Sequence, residues 1–150
     1  MSDLQLPPFR LLHIAYVTAD LELGKRRLSA MFGAQRFEVY PEMGVKIPGG
    51  GEARFTFALT KMNGTDLEVI QPVGGQDAVY RQALPSDPAD IAFHHYSSAI
   101  RNQAEWDMVL EAVRRHDIDV LVKGGEEFNT HYIYLDTRPH LGHILEFIWQ

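Results

Sequence analysis

The chain repeats one arrangement of residues, and this repeat limits its possible folds more than any other feature of the sequence. Each half begins with a strand-like segment that carries a histidine, continues with a helix, and ends with a strand-like segment that carries a glutamate. When the first strands are superposed, His13 falls on His95 with an offset of 82 residues, and Glu68 falls on Glu146 with an offset of 78. Self-similarity of this kind marks a duplicated structural unit. The repeat therefore predicts an α+β fold made of two βαβββ modules.

Local signals predict the elements of both modules. A helix follows the capping residue Asp20 and ends near Phe32, before Gly33, and a second helix is expected over residues 103–116. The pair Asn63-Gly64 predicts a hairpin turn between two strands. The predicted strands are residues 11–17, 36–41, 53–62, 66–72, 91–100, 118–122, 131–136 and 143–149.

The 150 residues are expected to form a single domain. We place the first module at residues 9–73, a connector with a short helix at 74–90, and the second module at 91–150. The connector contains two glycines and two prolines, and it is long enough to let both modules surround one site.

The repeated histidines and glutamates predict a metal site. Because side chains alternate along a strand, His13, His95 and Glu146 each share a face with apolar or small neighbours. A buried carboxylate is costly unless it is paired, protonated or bound to a metal. Two imidazoles and two carboxylates, those of His13, Glu68, His95 and Glu146, suit one divalent ion such as Zn, Ni, Co, Mn or Fe. A single histidine on an apolar strand is usually a core residue, so the prediction depends on the duplication.

Composition excludes several other classes of protein. The net charge of −6 argues against nucleic-acid binding, which needs a basic face. The chain has no cysteine, which excludes disulfides and thiolate metal sites. The first residues, MSDLQLPPFR, have no basic region followed by an apolar run. We therefore expect no secretory signal, no membrane span and a location in the cytoplasm.

Four segments resemble the vicinal oxygen chelate superfamily, which includes glyoxalase I, methylmalonyl-CoA epimerase, extradiol dioxygenases and bleomycin-resistance proteins. They are HIAYVTADLELGKRRLSAMFGA, DLEVIQP, FHHYSSAI and YLDTRPHLGHILEFI, and the resemblance extends over residues 11–149. It implies that the two modules form a cupped, barrel-like mixed sheet around a metal held by His13, Glu68, His95 and Glu146. Of the adjacent pair His94-His95, both the resemblance and the strand register favour His95, and His94 is then expected to face the opposite side.

Two family members look most similar. The segment LEVIQPVGGQDAVYRQAL resembles methylmalonyl-CoA epimerase, whereas a glutamate at the position of Glu68 resembles glyoxalase I. The resemblance implies a metal-dependent isomerase, epimerase or lyase that removes a proton next to a metal-bound carbonyl. The substrate would be a small acyl-thioester or α-hydroxycarbonyl compound. Glu146 is the first choice as base and Glu68 the second.

The prediction also includes two alternative functions and an oligomeric state. The alternatives are a non-haem metal-dependent ring-cleaving dioxygenase and a non-catalytic small-molecule binding or resistance protein. Tyr132 and Tyr134 are candidates for the wall of the cavity. Because the open edges of curved sheets need cover, we expect a homodimer in which each chain forms a complete site.

Overall fold

In a computed structural model, which describes residues 3–126 and 129–150, the chain forms one eight-stranded mixed sheet and four helices. The strands are β1 (Leu11–Thr18), β2 (Glu38–Lys46), β3 (Glu52–Met62), β4 (Thr65–Gly75), β5 (Ile91–Ile100), β6 (Val120–Gly124), β7 (His131–Leu135) and β8 (Ile144–Trp149). The helices are α1 (Leu21–Phe32), α2 (Ala78–Arg81), α3 (Gln103–His116) and α4 (Arg138–Leu141).

The strand order is symmetric about the centre of the sheet. The order is β2-β3-β4-β1-β5-β8-β7-β6, with β1 and β5 antiparallel at the middle. On each side of this β1–β5 seam, the first strand of a half pairs in parallel with its last strand. The sheet curls into a half-barrel. The predicted α+β class with two βαβββ arrangements is confirmed.

Helix α1 begins and ends where its capping residues place it. The Asp20 carboxylate accepts a hydrogen bond from the backbone N–H of Glu22 at 2.9 Å. The Gln71 side chain on β4 accepts another from the N–H of Leu21 at 2.7 Å, which fastens the start of the helix to the sheet. Gly33 ends the helix at φ 71°, a left-handed conformation that glycine adopts without strain.

Helix α3 also matches its prediction. The Asn102 side chain accepts a hydrogen bond from the N–H of Glu105, and Asp117 ends the helix in a left-handed conformation at φ 49°. Trp106 and Val109 on its inner face are buried. Across residues 3–126 and 129–150, no helix combines the length and the apolar composition that a membrane span requires.

The segment between β4 and β5 is attached to the sheet. Its short helix, α2, was predicted, and the Asp77 carboxylate holds it through an ion pair with Arg81 at 2.6 Å. Tyr80 is completely buried, and its ring lies 5.0 Å from that of Phe55 between centroids. This packing places the backbone of Val79 near the middle of the sheet.

Several boundaries differ from the sequence prediction, among them the end of β4, which extends to Gly75 rather than to residue 72. Strand β2 extends to Lys46 because it pairs with β3 as far as Glu52. Strand β6 begins at Val120 rather than at residue 118. Helix α4 occupies a segment that we expected to be a loop, and Gly142, at φ 77°, ends it.

Candidate metal centre

The predicted ligands lie on four adjacent strands, β4, β1, β5 and β8, in two rows across the middle of the sheet. Each row contains a glutamate, a small residue and a histidine, and the register pairs the small residue with both of the others. The rows are Glu68–Ala15–His95 and Glu146–Ser97–His13. Ala15 and Ser97 are fully buried and short, so they leave room for the longer side chains on either side.

The four side chains converge on one point. His13 Nε2 lies 3.1 Å from Glu68 Oε2 and 3.0 Å from Glu146 Oε2. It lies 3.2 Å from His95 Nε2, which is itself 3.2 Å from Glu146 Oε2 and 3.9 Å from Glu68 Oε2. The candidate ligand atoms of His13, Glu68 and His95 all lie within 4.8 Å of one another. The structure thus brings all four predicted residues together, and all four are buried.

A buried His-Glu-His group of this kind, here His13, Glu68 and His95, could bind a metal ion. Nitrogen and oxygen ligands bind such an ion at about 2.0–2.2 Å, which puts neighbouring ligand atoms about 2.9–3.5 Å apart. Four of the five distances given above fall between 3.0 and 3.2 Å. Glu146 Oε2 is buried, and the Nε2 atoms of His13 and His95 lie beside it at 3.0 and 3.2 Å. A buried carboxylate oxygen between two imidazoles is suited to a cation, which is either a proton on an imidazole or a metal ion.

Without a metal, the cluster holds a proton on His13. Burial alone would lower the pKa of His13, but the Glu68 and Glu146 carboxylates raise it to about 10. Burial likewise favours the neutral acid of Glu146, but the imidazoles of His13 and His95 keep its pKa below the usual range. At neutral pH, His13 is therefore an imidazolium and Glu146 a carboxylate.

Strand alternation predicts that His94 faces away from the site, and the structure shows that it does not. The pairing of β5 with β1 skips His94, so His95 and Phe93 face consecutive residues of β1. This β-bulge turns the buried His94 ring towards its neighbour. His94 Nδ1 lies 2.8 Å from His95 Nδ1, and His94 Nε2 lies 2.7 Å from the backbone oxygen of Val79. Burial, together with His95, lowers the pKa of His94 to about 3, so the ring is neutral.

Three of the four clustered residues, His13, Glu68 and Glu146, line a cavity of about 430 Å³. Phe55 and Phe57 on β3 give it apolar walls, and Tyr132 and Tyr134 on β7 form the opposite side, as predicted. Lys61, whose cross-strand neighbour is Asp66, is the one lysine in the described lining, which contains no arginine. A larger groove, of about 620 Å³, lies along β2 and β3 and contains none of the four clustered residues.

Comparisons with known proteins agree with this architecture. No protein-family model matches the chain, and no curated protein matches it. A Streptomyces coelicolor methylmalonyl-CoA epimerase in complex with 2-nitronate-propionyl-CoA is 17% identical with a TM-score of 0.65, over 95% of this chain and 94% of that chain. A methylmalonyl-CoA epimerase in complex with methylmalonyl-CoA and NH4+ is 18% identical with a TM-score of 0.64, over the same shares.

The chain has the vicinal oxygen chelate fold. A third structure, methylmalonyl-CoA epimerase from Mycobacterium tuberculosis, is 14% identical with a TM-score of 0.59, over 93% of this chain and 86% of that chain. The likeness extends across both halves, so the vicinal oxygen chelate fold predicted from the quoted segments is confirmed. At these identities, the likeness concerns the fold.

Proposed function

We propose that the protein is a divalent-metal-dependent isomerase, epimerase or lyase that removes a proton next to the carbonyl of a small substrate. One observation carries this proposal: His13, Glu68, His95 and Glu146 lie together, and three of them line a cavity. The structural neighbours support it, because they include epimerases that bind methylmalonyl-CoA or 2-nitronate-propionyl-CoA.

The four residues would hold the ion, and the carboxylates would also move the proton. A divalent ion bound there would act as a Lewis acid that polarises the substrate carbonyl and stabilises the enolate. Glu146 is our first choice as base because it is ionised at neutral pH and lines the cavity. Glu68 is the second choice, since it also lines the cavity.

The cavity favours a substrate with a short apolar part. Phe55, Phe57 and Val45 provide the apolar walls beside the cluster, and a volume of about 430 Å³ accommodates a small acyl group. Lys61 lies on the same lining and could meet a negative charge on the substrate. We therefore propose an acyl-thioester or an α-hydroxycarbonyl compound, whose reacting end enters the cavity.

Hydrogen exchange in D2O tests the reaction directly. The protein is loaded in turn with Zn, Ni, Co, Mn and Fe and incubated with methylmalonyl-CoA or with an α-hydroxycarbonyl compound. Loss of the α-proton signal by NMR, with a mass gain of about one unit, is the expected result. Glu146→Gln and Glu68→Gln variants separate the roles, because the base variant should retain metal and lose most of the exchange.

Other outcomes identify the alternatives. Oxygen consumption with a catechol and bound iron, without proton exchange, would favour the ring-cleaving dioxygenase. Failure of the wild-type protein to bind any of the five metals would favour a non-catalytic binding protein. Measurement of bound metal by elemental analysis is therefore made on every sample.

The assembly and location also remain proposals. We propose a homodimer in which each chain supplies a complete site, because all four clustered residues belong to one chain. Sedimentation equilibrium measures the assembly. A cytoplasmic location is expected from the sequence and can be checked by fractionation.

A further inference from the structure

His94 is a buried polar side chain that the proposed metal set does not use. Its two ring nitrogens both make short contacts: Nε2 with the backbone oxygen of Val79 at 2.7 Å, and Nδ1 with His95 Nδ1 at 2.8 Å. His94 therefore connects the backbone of α2 to a candidate ligand of the metal. The β-bulge that creates this contact interrupts the pairing of β5 with β1 at His94 itself.

The chemistry of the three groups fixes which atoms carry protons. A carbonyl oxygen only accepts hydrogen bonds, so His94 Nε2 carries a proton and donates it to Val79. In a neutral ring, His94 Nδ1 then has no proton and accepts one from His95 Nδ1–H. A second proton on His94 would create a buried cation, and the atoms beside its ring nitrogens, the Val79 oxygen and His95 Nδ1, include no carboxylate. When the single proton of the His95 ring is on Nδ1, Nε2 is the atom with the free lone pair.

We propose that His94 is a positioning residue, which holds His95 in the tautomer whose Nε2 lone pair faces His13 and Glu146. This inference rests on the proposed metal site. Its consequence is that the His95 ring needs neither a rotation nor a proton shift before it binds the ion. Histidine ligands of metals are commonly oriented by an acceptor on the other ring nitrogen. Here the acceptor is a second histidine, which is itself oriented by a backbone carbonyl.

The surroundings of His94 keep this arrangement rigid. The ring of Tyr80 lies 5.2 Å from that of His94, and the ring of Tyr134 lies 6.2 Å away, measured between centroids. The Tyr80 hydroxyl donates a hydrogen bond to the Tyr134 hydroxyl at 3.2 Å, so the two tyrosines beside His94 are also bonded to each other. Tyr80 and Val79 belong to α2, so the segment between the halves supplies both the packing and the terminal acceptor.

The first test measures the tautomer of wild-type protein without metal. Two-dimensional NMR with long-range 1H–15N correlations, at about pH 8.5 where an ordinary histidine is neutral, distinguishes a protonated Nδ1 from a protonated Nε2. We expect His95 to show a protonated Nδ1 and an unprotonated Nε2. A proton on His95 Nε2 in place of Nδ1 would overturn the inference. Because no metal is present, this result is independent of the proposed function.

The second test measures metal affinity in two variants. His94→Phe keeps an aromatic ring between the tyrosines but removes both hydrogen bonds, and we expect zinc affinity to fall about 10- to 100-fold. His94→Gln offers an amide oxygen as acceptor and an amide N–H as donor at nearly the same separation, so its affinity should stay within about threefold of wild type. Wild-type affinity in His94→Phe would overturn the inference, as would an equal loss in both variants. If wild-type protein binds none of the five metals, the proposed function fails, and the tautomer measurement still decides the role of His94.

Discussion

Metal binding to this protein should release a proton. In the metal-free cluster, His13 carries a proton at neutral pH because the Glu68 and Glu146 carboxylates raise its pKa to about 10. A metal ligand must be unprotonated, so an incoming ion has to displace that proton. We expect about one proton to be released for each ion bound between about pH 7.5 and 9.

The size and sign of the pH effect follow from that one proton. Below pH 10, protons compete with the ion for His13, so affinity should rise about tenfold per pH unit, which corresponds to about 1.4 kcal/mol. The increase should level off once the pH passes the pKa of His13, about 10. Lowering the pH has the opposite effect and should empty the site.

Calorimetry can measure this release directly. Zinc is titrated into metal-free protein in two buffers of the same pH but different ionisation enthalpies, and the difference in apparent heat gives the number of protons. The His13→Gln variant is the matched control, because its amide can still approach an ion but has no proton to lose. Tight zinc binding by wild type with no proton release and no pH dependence would refute the assigned protonation state.

Three further predictions concern the site and the fold. Mixing His13→Ala chains with Glu146→Ala chains should restore neither metal nor activity if, as we propose, each site is formed within one chain; recovery of a quarter or more of the activity would show sharing between chains. Leu28→Ala, at a fully buried position of α1, should lower the free energy of unfolding by about 2–5 kcal/mol. Met31→Ala, 72% exposed on the same helix, should change it by less than about 0.5 kcal/mol in the same urea titration. Gly33→Ala should cost about 1 kcal/mol or more by the same measurement, because φ is 71° there; an unchanged midpoint would contradict this.

Features with local causes could be predicted from the sequence. Asp20 and Gly33 define both ends of α1, because capping depends on residues within one turn of the helix. The same holds for α3, which spans residues 103–116 as expected. The four clustered residues could be found for a different reason. A duplicated unit repeats its inward-facing positions, so symmetry in the sequence indicates proximity in the fold.

Features that depend on pairing between distant strands could not be predicted. The bulge at His94 arises where β5 meets β1, and the local sequence contains no glycine that would mark it. The length of β2 is likewise determined by its partner β3, since the pairing continues to Lys46 opposite Glu52. Simple alternation of side chains therefore gave the correct face for His95 and the wrong one for its neighbour.

The β1–β5 seam has a consequence for folding kinetics. It brings together His13 and His95, which are 82 residues apart, and each half of the chain contributes one imidazole and one carboxylate. Contacts between residues so distant form slowly, because the intervening chain must first be ordered. The complete set of ligands exists only after the seam has closed, so an ion bound there would be a reversible cross-link between the halves. Such a cross-link would slow the opening of the seam far more than it would speed its closing.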